Sequence, residues 1–320
     1  MSQRALVTGG AGFIGSHLVD RLIKEGWAVD LVDNLSSGHK EFINSSSHAI
    51  INNFDADVVL ERVRGKHYDH VFHIAAVPRV SYSVEHPLVT HDNNVTKTLR
   101  LIDACRGNVK KFVFASSSSV YGGASTLPTP EDYGKFPKSP YALQKSIIED
   151  YLTQYNSHYG LDSACLRFFN VFGPRQIGGS PYSTAVSSWL TAIKSGQPMR
   201  SDGDGSQSRD LCYVDNVVEA CFLAAMKQDK LGGMCFNVAC GERTTNKEIL
   251  EYLLKRYPGS QWYGTDWRPG DVMHTQACLN KSSKILGYKP LVKFWDGLEK
   301  TIQWYETSWE LIKTYEVKKC

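Results

Sequence analysis

Tyr141 and Lys145 stand four residues apart in Tyr-Ala-Leu-Gln-Lys, a spacing that puts a phenol and an ammonium on one face of a helix. The spacing alone carries little. Tyr315 and Lys319 share it in a terminal segment with no other feature of a site. What gives it meaning is the serine run Ser116 to Ser119, which closes an apolar stretch just before Val120-Tyr121-Gly122. A phenol titrates at about pH 10 in water and is a poor base at neutrality, but a nearby ammonium and an oxidised nicotinamide both favour phenolate. That brings its pKa toward working pH. A serine hydroxyl on the neighbouring strand can then hold a substrate hydroxyl and relay its proton while hydride leaves the carbinol carbon.

Such chemistry needs a dinucleotide, and Thr8-Gly9-Gly10-Ala11-Gly12-Phe13-Ile14-Gly15 is built to hold one. The glycines let the backbone turn tightly and approach a pyrophosphate, which sits at the positive end of the helix that follows. Gly15 lets that helix pack close to the preceding strand. Asp33 ends the second apolar run, where a carboxylate accepts hydrogen bonds from an adenosine ribose. It repels a 2′-phosphate, and Asn34, Leu35 and Ser36 supply no arginine to bind one, so NAD is favoured over NADP.

The elements that must position these residues alternate. Arg4 to Val7, Ala28 to Val32, Asp69 to Ile74 and Lys111 to Ala115 are short apolar runs. Ile14 to Glu25, Thr90 to Arg106 and Tyr141 to Tyr159 have helical character, the last with Ser139 as N-cap and Pro140 in its first turn. Strands separated by helices predict an α/β fold of Rossmann type, a doubly wound parallel sheet with right-handed crossovers. After Leu166 to Asn170 the texture breaks at Gly173-Pro174, Gly178-Gly179-Ser180-Pro181 and Gly203-Asp204-Gly205. A smaller α/β substrate domain is therefore expected, interleaved with the first. The division is 1–170 with a return segment near 210–240 for the dinucleotide, and 171–209 plus 241–320 for the substrate.

Composition bounds the remaining classes. The 320 residues are 42% hydrophobic and 22% charged, values that exclude a disordered or fibrous chain. With 36 Lys and Arg against 33 Asp and Glu there is no electrostatic footprint for nucleic acid. No stretch reaches the roughly 18 apolar residues of a membrane span, and the start has no signal-peptide pattern. The eight cysteines, at 105, 165, 212, 221, 235, 240, 278 and 320, form no Cys-x-x-Cys pair. They read as reduced core thiols of a cytoplasmic protein, with neither zinc nor disulfides.

In order along the chain, TGGAGFIGSHL, VDNLSSG, HIAA, DNNV, SSSSVYG, SPYALQKS, LRFFNVFGP, GDGSQSRDLCYVDN and RPGD resemble the extended short-chain dehydrogenase/reductase family of nucleotide-sugar epimerases and dehydratases. The resemblance spans Val7 to about Thr275. It implies an NAD-dependent enzyme acting on a UDP-sugar, with Tyr141 as general base, Lys145 on the nicotinamide ribose and Ser117 as the catalytic hydroxyl. Gly9, Gly12, Phe13, Ile14, Gly15, Asp33, Asn34, Ala75, Ala76, Asn94, Ser116 and Phe168 join Tyr141 and Lys145 as the implied cofactor contacts. Ser117, Ser118, Tyr141, Asn170, Arg209, Arg268, Asp271 and Thr275 are the implied substrate contacts, with the two arginines clamping the diphosphate. A homodimer through the helices near Thr90 to Arg106 and Tyr141 to Tyr159 is implied too.

Related dehydratases and decarboxylases add a carboxylate one or two residues after the catalytic hydroxyl. Here those positions are Ser118 and Ser119, which favours simple C4 epimerisation through a 4-keto sugar. The later motifs most resemble epimerases of UDP-GlcNAc and its uronic acid, as well as UDP-glucose. Thr275 occupies the gate, where a small side chain leaves room for a 2-acetamido group. Pro78 departs from the pocket residues of either subgroup, and Phe54-Asp55-Ala56-Asp57 offers two registers for an adenine-contacting aspartate. The rival readings are a 4,6-dehydratase, a UDP-glucuronate 4-epimerase and a non-catalytic NAD-binding regulator.

Overall fold

A computed structural model describes residues 2–178, 184–267 and 272–317. In chain order its first half runs β1 (Arg4–Thr8), α1 (Phe13–Lys24), β2 (Ala28–Asp33), β3 (His48–Ile51), α2 (Asp57–Arg64), β4 (His70–His73), α3 (Val80–Glu85), α4 (Pro87–His91), α5 (Lys97–Cys105), β5 (Lys111–Ser117), α6 (Pro140–Tyr159) and β6 (Ser163–Phe168). The second half runs β7 (Val171–Phe172), α7 (Ala185–Lys194), β8 (Met199–Asp202), β9 (Ser208–Arg209), β10 (Cys212–Tyr213), α8 (Val214–Met226), β11 (Met234–Val238), β12 (Thr244–Thr245), α9 (Asn246–Arg256), β13 (Trp262–Thr265), α10 (Phe294–Thr307) and α11 (Trp309–Val317). Seven strands form one sheet in the order β11-β6-β5-β4-β1-β2-β3, and every neighbouring pair is parallel. This is the doubly wound Rossmann-type fold expected from the alternation of elements. The six remaining strands pair as β7 with β10, β9 with β12 and β8 with β13.

Strand alternation divides the core between the two faces of the sheet. Ala5 and Val7 face α1 and α8, together with Leu18, Leu22 and Val217, while Leu6 faces α2, α5 and α6, with Val59, Leu101 and Ile148. Each fully buried Leu or Ile stabilises the fold by about 1.5–3 kcal/mol, so a slip of one residue in β1 would exchange both cores. α11 adds Ile312 and Tyr315 to the face that holds α1.

Three elements differ in detail from the reading of the sequence. The segment expected as one helix over Thr90 to Arg106 starts at Pro87 and is interrupted by a π-helical turn at Asp92–Thr96. That turn widens the helix and buries Asn94. β3 and β11 are additional, at opposite edges of the sheet. β3 is exposed at both ends and half-buried between, so its short sequence shows no apolar run.

Candidate active site

The carboxyl ends of β1, β2, β4, β5 and β6 open onto one cleft of about 1670 Å³. Ligands of open α/β sheets bind at such a crevice. A single drug-sized ligand needs about 300–1,000 Å³, so the cleft has room for two ligands end to end. One end is floored by Gly9, Gly12, Phe13 and Ile14 and walled by Asp33, Asn34, Ala75 and Ala76. The other end is lined by Asn170, Arg209 and Thr275. Ser116, Ser117, Ser118, Tyr141, Lys145 and Phe168 also line it.

β5 ends at Ser117, whose Oγ accepts from the Ser119 amide at 3.2 Å and starts a tight turn over Ser118–Tyr121. Across the cleft, α6 begins at Pro140, with the Ser139 Oγ accepting from the Ala142 amide at 3.2 Å. The cap fixes the first turn, and that turn carries Tyr141. The Ser117 hydroxyl at the end of β5 favours the phenolate form of Tyr141. Lys145, one turn on, donates to the Ala115 carbonyl at 2.6 Å, with Nζ 5.8 Å from the centre of the Tyr141 ring. Burial pushes the phenol up to about 12, opposed by the nearby Ser117 hydroxyl. Burial also lowers the ammonium of Lys145 from 10.5 to about 7, while the Glu149 charge pulls it back up.

Glu149 is the third member of the i, i+4 series begun by Tyr141 and Lys145. It takes a bidentate bond from Arg167 of β6 at 2.9 and 2.8 Å and a bond from the Ser116 Oγ at 2.6 Å. The Ser116 hydroxyl thus points away from the cleft. Arg167 goes on to the Tyr121 hydroxyl at 2.9 Å, and Tyr121 donates to Asn237 of β11 at 2.6 Å. The serine turn, α6 and the far edge of the sheet are tied by one buried network.

Two other proposed contacts act at one remove. Asn94 accepts from the Val77 amide at 2.8 Å and donates to Val77 and Gln144, bracing the strand-end loop after Ala75 and Ala76. Gly15 lies under the glycine turn. Arg268 and Asp271 lie outside the described residues. Neither register of the adenine-contacting aspartate reaches the cleft wall: Asp55 is buried on Arg100 at 2.7 Å and Asp57 opens α2, while Asn52, Asn53 and Phe54 line the wall instead.

Three residues went unnoticed in the sequence. Arg175 lines the cleft in left-handed backbone at φ 66°, its Nη2 on Asp20 at 2.7 Å and its Nη1 buried without a partner. A strained cation beside Gly173-Pro174 was the available signal. Asp210, fully buried next to Arg209, accepts from the amides of Cys240, Gly241 and Ala277 at 2.9–3.0 Å, and its own amide donates to the Thr275 Oγ1. It binds three loops at the Arg209 and Thr275 end, and burial pushes its carboxyl up to about 7. Tyr315 is the third. The segment read as featureless brings this ring to the cleft wall, 4% exposed.

The fold is shared with known proteins. A model of the NAD dependent epimerase/dehydratase family matches residues 5–239, and the chain belongs to that family. Within it the chain is an isomerase that uses NAD. It is 36% identical to a UDP-glucose 4-epimerase of Mycolicibacterium smegmatis, over 95% of this chain and 98% of that one. A UDP-N-acetylglucosamine 4-epimerase from Methanobrevibacter ruminantium M1, solved with UDP-N-acetylmuramic acid, superposes with a TM-score of 0.89 at 38% identity. The match covers 96% of this chain and 99% of that one. A Thermus thermophilus UDP-glucose 4-epimerase solved with NAD gives 0.86 at 33% identity, covering 95% and 99%.

The residues present fit NAD. A Cβ on Gly15 would stand 2.0 Å from the Gly9 carbonyl oxygen, and one on Gly9, at φ 69°, would meet the Ala75 backbone at 3.0 Å. The backbone is bare where a diphosphate must approach, and no side chain caps α1, which leaves its N-terminal amides for an anion. Asp33 is gathered in by the Ala11 and Leu35 amides at 3.1 and 2.8 Å, and the orphaned Arg175 Nη1 is a further donor.

Proposed function

We propose that the protein interconverts the C4 epimers of a UDP-hexose, UDP-GlcNAc with UDP-GalNAc and also UDP-glucose with UDP-galactose. The observation that carries this is the convergence of Ser117, Tyr141 and Lys145, with Lys145 one turn below the phenol, on a cleft long enough for a dinucleotide and a sugar nucleotide. Ser117 holds the sugar C4 hydroxyl and passes its proton to Tyr141. The Lys145 ammonium favours the phenolate and takes the cofactor ribose. NAD bound beside them would supply reversible hydride acceptance at C4, so the cycle needs no outside oxidant. The 4-keto sugar turns before the return, which inverts C4.

Arg209 holds the diphosphate, with Arg268 and Asp271 assigned to the same end, and Asn170, Ser118 and Thr275 surround the sugar. Gly9, Gly12, Phe13, Ile14, Asp33, Asn34, Ala75, Ala76 and Phe168 hold the cofactor, braced by Gly15, Asn94 and Ser116. The names of the relatives support a UDP-sugar, and Ser118 with Ser119 beside the Ser117 hydroxyl supports epimerisation over elimination.

NAD-saturated protein incubated with UDP-GlcNAc, UDP-glucose and UDP-glucuronate tests the reading by chromatography of the products. C4 epimers of the first two are expected. A dehydrated or decarboxylated product rejects it, an epimer from UDP-glucuronate alone moves the assignment to that sugar, and NAD binding without turnover makes the chain a regulator.

The same reading includes a homodimer. Leu88 of α4 is 84% exposed and Leu143 of α6 is 49% exposed, and they share an apolar groove with Pro87 and Ile147. A second copy covers that face, and sedimentation of a Leu88→Asp variant as a monomer, with NAD retained, is the result expected. The seven described cysteines are free, which fits the cytoplasm, and no helix among the described residues is long and apolar enough to cross a membrane.

A further inference from the structure

The last described helix packs against the cofactor end of the cleft. After α10 of the proposed substrate part, α11 returns to the glycine-turn end of the cleft, anchored by Ile312, fully buried, and Tyr315. The Tyr315 ring lies on the His39 ring, centroids 3.9 Å apart, and meets the edge of Phe42 at 6.1 Å. His39 and Phe42 belong to the loop that leaves β2 after Asp33. That loop folds back on the glycine turn: the His39 amide donates to the Ala11 carbonyl at 2.9 Å, and the Ala11 amide donates to Asp33. Gly38 packs so close to Asp33 that a Cβ there would stand 2.7 Å from its carboxylate. The Arg175 guanidinium covers Phe42 from another side, 5.7 Å from the ring centre. Tyr315, Ser36, Ser37, Gly38 and Asp33 line the same wall.

We infer that Tyr315 and α11 form the outer wall of the NAD site and govern how long NAD stays bound. The inference rests on reading the glycine turn and Asp33 as the cofactor end, and is independent of which sugar is turned over. A ligand held against Asp33 leaves only when the 34–42 loop lifts. The loop cannot lift while the Tyr315 ring is packed against His39, so opening requires α11 to undock. The tilted contact with His39 and the edge contact with Phe42 give the latch a definite geometry, and the few turns of α11 keep it small enough to open without unfolding the sheet.

Two measurements test this without reference to turnover. NAD release is timed after dilution for wild type, Tyr315→Ala and Tyr315→Phe, with UDP binding measured beside it. Release at least tenfold faster in Tyr315→Ala, release within about threefold of wild type in Tyr315→Phe, and unchanged UDP affinity are expected. Equal release in Tyr315→Ala and wild type, or loss of UDP binding in step with NAD, overturns the inference. In the unaltered protein, hydrogen exchange of the α11 amides is expected to slow at least tenfold on adding NAD. Exchange that NAD leaves unchanged overturns it even if the alanine variant does not fold. Protein that retains NAD and protects α11 but forms no epimer refutes the proposed reaction and leaves this inference standing.

Discussion

Lys145 is an ammonium that the folded protein holds against its own stability. Its pKa of about 7 against an ordinary 10.5 means the unfolded chain binds that proton more tightly. The cost is fully present below pH 7, shrinks as pH rises from 7 to 10.5 and is gone above that range. Three and a half units correspond to about 5 kcal/mol at pH 6. Lys145→Met keeps the buried stem and removes the charge. Glu149 is not orphaned, because Arg167 still holds both its oxygens. What is lost is the donor to the Ala115 carbonyl, with an offset of about 1–3 kcal/mol. The cofactor-free variant should therefore be more stable than wild type at pH 6 by about 2–4 kcal/mol. Whatever the offset, the gap should narrow by about 2–3 kcal/mol between pH 6 and pH 9, since only wild type sheds the proton. Paired urea unfolding curves at the two pH values measure it, and turnover should be lost in the variant throughout. A gap that does not change with pH would refute the reasoning, because the rest of the titrating groups are common to both proteins.

Tyr141→Phe should lower kcat about a thousandfold while NAD and UDP still bind, as separate titrations of the two ligands would show. Gly15→Ala drives a methyl into the Gly9 carbonyl oxygen; it should cost about 3 kcal/mol in a denaturation curve and empty the purified protein of NAD. Asp210→Asn should weaken UDP binding about tenfold with NAD retained, read by calorimetry, because an amide cannot accept from three backbone N–H groups. Burial raises the Asp210 pKa, so the native state binds that proton more tightly than the unfolded chain; wild type loses this stability from about pH 4 to pH 7, and the asparagine variant should not.

The parts of the site that the sequence announces are those whose contacts are local. The glycine turn declares itself because β1, the turn and α1 are contiguous, and the Gly15 to Gly9 approach spans six residues. Ser139, Pro140, Tyr141 and Lys145 lie within two turns of one helix, and cap and face follow from spacing. Glu149 continues that face, yet its significance depends on Arg167 from the next strand. Asp210 gathers amides from 30 and more residues away, and Arg175 meets Asp20 across 155. No periodicity encodes such meetings; they arise from the order of strands in the sheet. Tyr315 shows the limit most clearly, since its spacing to Lys319 resembles that of the catalytic pair while its real partners are His39 and Phe42.

These long-range contacts share a physical logic with the local ones. The Tyr141 and Lys145 pair works only if water is kept away, yet dryness disfavours both the phenolate and the ammonium on which the chemistry depends. The Glu149–Arg167–Tyr121 network places a carboxylate one turn below the ammonium and holds it in position through a guanidinium. In the cofactor-free site burial still outweighs that carboxylate at Lys145. With Nζ 5.8 Å from the Tyr141 ring centre, ionisation of the phenol would in turn favour the ammonium, so the two charges are best formed together.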